Sequence, residues 1–167
     1  MDEFVSENYS ASNTAQKGDP MQSGTIRPEK ITFDHLDIDL IAGHGRDPFT
    51  VMRMTVPSDH GVPSHQSPDE DKLFVVLAGS LRFHIGDEFF DVSARQQIAV
   101  AKGDTHGFVN VGTMTAVHLI ITSPARHDEL LTALSKLPNP HAPGAIDETL
   151  RIYNQKLISQ PRRGPLA

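Results

Sequence analysis

Nine histidines and no cysteine set what chemistry this chain of 167 residues can carry. Imidazole binds first-row metals and moves protons near neutral pH. Without a thiol there is no thiolate metal site and no Cys nucleophile. Most of the nine have ordinary readings. His35, His44, His127 and His141 fall in loops or at helix starts and are expected in solvent. His84 alternates with Phe83 and Ile85 and belongs on the wetter face of its strand. His118 interrupts the apolar run 116–121 and reads as a core histidine, while His60 lies in a Gly/Pro loop. His65 and His106 remain. In extended backbone residues two apart share a face, which groups His65 with Ser67 and His106 with Phe108 and Asn110.

Other constellations are thin. Ser64 beside His65, with Asp59 nearby, is not a triad, because a triad is a folded geometry rather than adjacency. No Gly-rich phosphate loop precedes a helix. Asp69-Glu70-Asp71 reads as a solvated acidic turn, and Phe89-Phe90 as core.

The elements that must position these residues are short and β-like. Leu36, Ile38 and Leu40 alternate with Asp37 and Asp39, the mark of a strand with one wet face. Further strands are expected at 49–56, 81–85, 89–92, 98–100, 106–111 and 115–121, with the 73–77 run buried on both faces. Ile85-Gly86-Asp87-Glu88 signals a hairpin. Short strands separated by turn residues point to a sandwich or barrel. Period 3.6 appears only near the end. Ser123 and Pro124 could open a helix carrying Leu130, Leu131, Leu134 and Leu137, and a second is expected over 145–158. Residues 1–25 are rich in Ser, Asn, Gln, Asp and Gly and read as a disordered arm, and Met21 is an alternative start. The expected organisation is thus an arm at 1–25, a β-barrel at 26–122 and a helical extension at 123–160.

Composition narrows the partners. The formal net charge is −6, which argues against nucleic acid. No stretch approaches the roughly 18 apolar residues of a membrane helix. Asp2 and Glu3 stand where a secretory signal is basic, so a cytoplasmic location is expected.

The stretch from His65 to Gly79 resembles the first motif of the cupin superfamily, and Gly103-Asp104-Thr105-His106-Gly107-Phe108-Val109-Asn110 resembles the second. The family patterns are G-x5-H-x-H-x3,4-E-x6-G and G-x5-P-x-G-x2-H-x3-N. His65, Gly79, Gly103, His106 and Asn110 fit. Asp59 and Arg95 replace the two leading glycines, Ser67 the second His, Lys72 the Glu and Ala101 the Pro. The Ser123-Pro124-Ala125 ending is similar to small single-domain bacterial cupins of the quercetin-dioxygenase-like group. The resemblance implies an all-β, single-domain barrel of two antiparallel sheets, assembled as a homodimer.

In metal-bearing cupins three His and one Glu hold Fe, Mn, Ni, Cu or Zn. Here the resemblance leaves His65 and His106 as an incomplete metal pair, able at most to hold a divalent transition metal weakly. Glu70 or Asp71 could supply a carboxylate, and His60 or His118 a third imidazole. Lys72, if inward, would occupy the place of the metal and pair with Glu70 or with a carboxylate or enolate ligand. The expected function is binding of a small organic ligand by Lys72, Ser67 and Phe108, with His65 and His106 facing each other across the pocket. The alternative is a metal-dependent oxygenase or isomerase acting on a small aromatic or oxygenated compound.

Overall fold

A computed structural model describes residues 28–43 and 47–158. The expected arm, Met21 and His44 lie outside the described residues. Eleven strands and two helices follow in chain order. They are β1 (Glu29–Phe33), β2 (Leu36–Ala42), β3 (Thr50–Val56), β4 (Gly61–Gln66), β5 (Asp71–Ala78), β6 (Ser80–Ile85), β7 (Glu88–Ser93), β8 (Gln97–Val100), β9 (Thr105–Val109), β10 (Ala116–Ser123), α1 (His127–Ser135), α2 (Ala145–Ile152) and β11 (Lys156–Leu157). A six-stranded sheet runs β1-β2-β3-β10-β5-β8 and a five-stranded sheet runs β11-β4-β9-β6-β7. All strand pairings are antiparallel. The architecture is the expected all-β barrel of two sheets.

Period-2 alternation decides which side chains enter the barrel. β2 sends in Leu36, Ile38 and Leu40, and β3 sends in Met52, Met54 and Val56. Phe74 and Val76 of β5, Ile120 of β10, and Leu81 and Phe83 of β6 meet them in one core. The same alternation places Lys72, Thr122 and Thr50 inward at one end of the six-stranded sheet. Lys72 lies opposite Thr122, and Thr122 opposite Thr50, so the three form a row across β5, β10 and β3.

Two turns show how the chain departs from its motif without changing path. Asp59 and Arg95 stand where the cupin patterns have glycine, yet both adopt left-handed backbone, with φ of 61° and 74°. Both hold a conformation that glycine adopts more readily than a residue with a Cβ.

Several expectations are corrected. The 73–77 run is not covered on both faces: Leu73 and Leu77 are exposed, because they point to the outer side of β5. Phe89 and Phe90 are exposed rather than core: Phe89 is on the outer face of β7, and Phe90, opposite Phe83, is left partly open because β7 is the edge of its sheet. β4 was not among the expected strands, although His65 and Ser67 were read as extended; its backbone is held on both edges, by β9 and by β11. Ser123 does not cap a helix. It ends β10, paired with Asp71, and its hydroxyl donates to the Pro48 carbonyl. α1 therefore starts at His127 without a side-chain cap. Packing holds it instead: Leu130, Leu131 and Leu134 are buried, each worth about 1.5–3 kcal/mol. α2 stops at Ile152 because Asn154 takes left-handed backbone with φ 53°. The chain then extends into β11, where a helix to Ile158 was expected.

Candidate functional site

His65 on β4 lies directly opposite His106 on β9, with ring centroids 4.2 Å apart. They are cross-strand neighbours on one wall, where the expectation had them facing each other across the pocket. Each ring is fixed through Nδ1. His65 Nδ1 meets the Pro63 carbonyl at 3.0 Å, and His106 Nδ1 meets the Asp104 carbonyl at 2.9 Å. A carbonyl can only accept, so Nδ1 carries the proton and Nε2 carries the lone pair in both rings. His106 Nε2 is buried and has no hydrogen-bond partner.

Lys72 is 4 % exposed. Its Nζ lies 3.4 Å from His65 Nε2, so the ammonium points at an imidazole lone pair. Burial lowers the Lys72 pKa to about 8, and the charge of Glu70 opposes that shift. Burial and the Lys72 charge push His65 well below its usual range and His106 to about 3. At neutral pH the site therefore holds two neutral imidazoles and one cation.

Glu70 is buried, which corrects the solvated-turn reading; Asp69 and Asp71 do remain exposed. Its Oε2 accepts from His127 Nδ1 at 2.8 Å. His127, expected in solvent, is buried at the start of α1. Burial raises the Glu70 pKa, but the His127 hydrogen bond and the nearby positive charge of Lys72 leave it net lowered. Burial and Lys72 lower His127. The couple is therefore a carboxylate accepting from a neutral imidazole. Glu70 balances Lys72 through space, not in the direct ion pair expected, because its oxygen is committed to His127.

Ser67 is buried and donates to Gln155 Oε1 at 2.5 Å. Phe108 is buried against Phe74, Phe83 and His118. Thr50 Oγ1 and Thr122 Oγ1 are buried without partners at the Lys72 end of the barrel. Sequence reasoning missed both threonines, Gln155 and the Glu70–His127 couple. Only the inward phase of the strands, Thr50 with Met52 and Thr122 with Ile120, could have shown the threonines.

The residues do not fit a metal. Among the described residues no group of three or more His, Asp or Glu is placed to hold one. His60 makes its own contacts, with the Ser58 carbonyl and with His35. His118 packs on Phe74 and Phe108. Asp71 is exposed and accepts from the Lys102 amide. Lys72 would repel a cation at about 4 Å by roughly 4 kcal/mol per unit charge at an effective dielectric of about 20.

Comparison with known proteins follows this geometry. The family model described as Cupin domain matches residues 52–122. No curated protein matches the sequence. Among solved structures, an RmlC-like cupin from Shewanella frigidimarina is 14 % identical with a TM-score of 0.58, over 68 % of this chain and 99 % of that one. KdgF from Halomonas sp. is 15 % identical with a TM-score of 0.55, over 60 % and 92 %. A predicted oxalate decarboxylase from Thermotoga maritima is 18 % identical with a TM-score of 0.53, over 63 % and 98 %. The chain has the cupin fold, and the domain match with its structural neighbours supports the cupin superfamily.

Proposed function

We propose that this protein binds a small organic carboxylate, or an enolate of like size, inside the barrel without a metal. The observation that carries this reading is Lys72. It is a buried ammonium that contacts an imidazole rather than a carboxylate. A buried cation that Glu70 balances only through space is costly, and an anionic ligand in contact with it reduces that cost. The unpartnered hydroxyls of Thr122 and Thr50 lie in the same row and can donate to the same anion. Phe108 supplies an apolar wall, and Ser67 steadies the rim through Gln155.

One observation favours the metal-dependent oxygenase or isomerase reading: both Nε2 atoms carry lone pairs, as metal ligands must. Lys72 weighs more, because it supplies positive charge where that chemistry needs a ligand. The Ser123-Pro124-Ala125 ending supports placement with the quercetin-dioxygenase-like group. A homodimer joined through sheet edges or the outer barrel face, working in the cytoplasm, completes the proposal. Among the described residues no helix is long and apolar enough to cross a membrane.

Calorimetric titration of the purified protein with lactate tests the reading. Binding should vanish in Lys72→Met and weaken about tenfold in Thr122→Val, the loss expected for one charge-assisted hydrogen bond. Unchanged affinity in both variants would remove Lys72 from the site and the proposal with it.

A further inference from the structure

We infer that His35 and His60 form a separate, surface site that holds one divalent transition ion between two turns of the barrel. His35 lies in the turn between β1 and β2, and His60 in the turn between β3 and β4. Both are exposed, and their ring centroids are 4.1 Å apart. Two imidazoles bound to one ion through nitrogens at about 2.0–2.1 Å have ring centres on the order of 4–5 Å apart. The turn before β4 belongs to the five-stranded sheet and the β1–β2 turn to the six-stranded sheet, so one ion here would tie the two sheets together.

His60 is already set as a ligand. Its Nδ1 meets the Ser58 carbonyl at 2.7 Å, two residues back. Nδ1 therefore carries the proton and Nε2 the lone pair, the way metal-binding imidazoles are usually fixed. His65 and His106 are held likewise, each on a carbonyl two residues back, and their rings are tilted by 51° against 53° for the surface pair. The two pairs differ in the charge beside them. In the barrel the Lys72 ammonium stands 3.4 Å from His65 Nε2. At the surface each histidine has an exposed acidic residue next to it in the chain, Asp34 beside His35 and Asp59 beside His60. These carboxylates are turned to His141 and Ser58, so they act as nearby negative charge rather than as ligands. A cation is thus repelled in the barrel and favoured at the surface pair. Water completes the shell around two protein nitrogens. Such a set suits copper(II) or nickel(II) in tetragonal geometry, and copper(II) binds most strongly in the divalent series. With only two protein ligands the ion exchanges with solution rather than staying through purification.

Calorimetric titration of the metal-stripped full chain with Cu2+ tests the inference. The tightest site should take one ion per chain, and its paramagnetic resonance should show coupling to two imidazole nitrogens. His35→Ala and His60→Ala should each weaken that site at least about tenfold, since a lost ligand costs no less than a lost partner of a ligand. Both positions are exposed, so both variants should keep β-type circular dichroism. His65→Ala should leave the site as it is. Copper affinity unchanged in either His35→Ala or His60→Ala would overturn the shared site. Binding that survives in those two variants but is lost in His65→Ala would place the ion in the barrel and overturn the inference as well.

Discussion

Glu70 and His127 meet at 2.8 Å inside the protein although 57 residues separate them in the chain. The contact ties α1 to the turn between β4 and β5, two residues before Lys72. It keeps the carboxylate ionised and close enough to Lys72 to raise its pKa against burial, but not in contact with it. Leaving a buried donor without its acceptor costs about 1–3 kcal/mol, and Glu70→Ala does that to His127 Nδ1 while also removing the charge that balances Lys72. Glu70→Ala should therefore lower stability by about that amount in urea unfolding. Glu70→Gln, which keeps an acceptor for His127, should lose less. Equal stability of Glu70→Ala and wild type would show that Lys72 does not need this carboxylate.

Acid should unfold the protein from an unusually high pH. His118 is fully buried between Phe74 and Phe108, and its ring nitrogens make no well-aligned hydrogen bond, only a weak approach to the Leu119 backbone. Burial lowers its pKa to about 4. His106 is at about 3, and His65 and His127 are also lowered. Each takes up a proton more readily when unfolded. Their stability is thus complete above about 6.5 and is lost as pH falls through the folded values. Urea midpoints should fall steeply between pH 6.5 and 4. His118→Leu should reduce that slope by up to about 1.4 kcal/mol per pH unit and raise stability at neutral pH by about 1 kcal/mol. A flat profile in wild type would contradict the buried, neutral state of these rings.

Restoring the cupin ligand types should create metal affinity. Wild type purified without chelators is expected to hold well under one metal per chain. Ser67→His with Lys72→Glu adds an imidazole and a carboxylate to His65 and His106, and elemental analysis should then approach one divalent metal per chain. Stoichiometric metal in wild type, lost on replacing His65 or His106 with Ala, would reverse the reading of the site.

The dimer should depend on β7, the edge of the five-stranded sheet. Phe89 there is 71 % exposed, and with Phe90 and Ile98 it lines a groove of about 670 Å³. An open edge carrying exposed aromatics favours pairing with another chain. Light scattering at concentrations on the order of tens of micromolar should give a dimer for wild type and a monomer for Phe89→Glu. A monomeric wild type would defeat the assembly proposal.

The barrel was legible because its strands alternate. β2, β3 and β6 show inward apolar residues that any period-2 reading finds. β4 was not, because Gly61-Val62-Pro63-Ser64-His65-Gln66 has no alternation, and its extension comes from the strands on either side. In the site, His65, His106 and Lys72 were found through motif spacing. Glu70 was named as a possible partner of Lys72, but its contact with His127 was not, since a contact across 57 residues leaves no local trace and both types normally prefer water. Phe89 and Phe90 misled because apolar type does not say which side of an edge strand faces the core.

The C-terminal strap has a consequence for how the protein is made. β11 pairs with β4 at His65 and Gln66, and Gln155 holds Ser67 across 88 residues. A ribosome delivers residues 153–158 only after every other strand of both sheets. The nascent chain can close its core first, with the wall that bears His65 still lacking one edge partner. The rim that β11 and Gln155 complete can therefore form only after the rest of both sheets has been made.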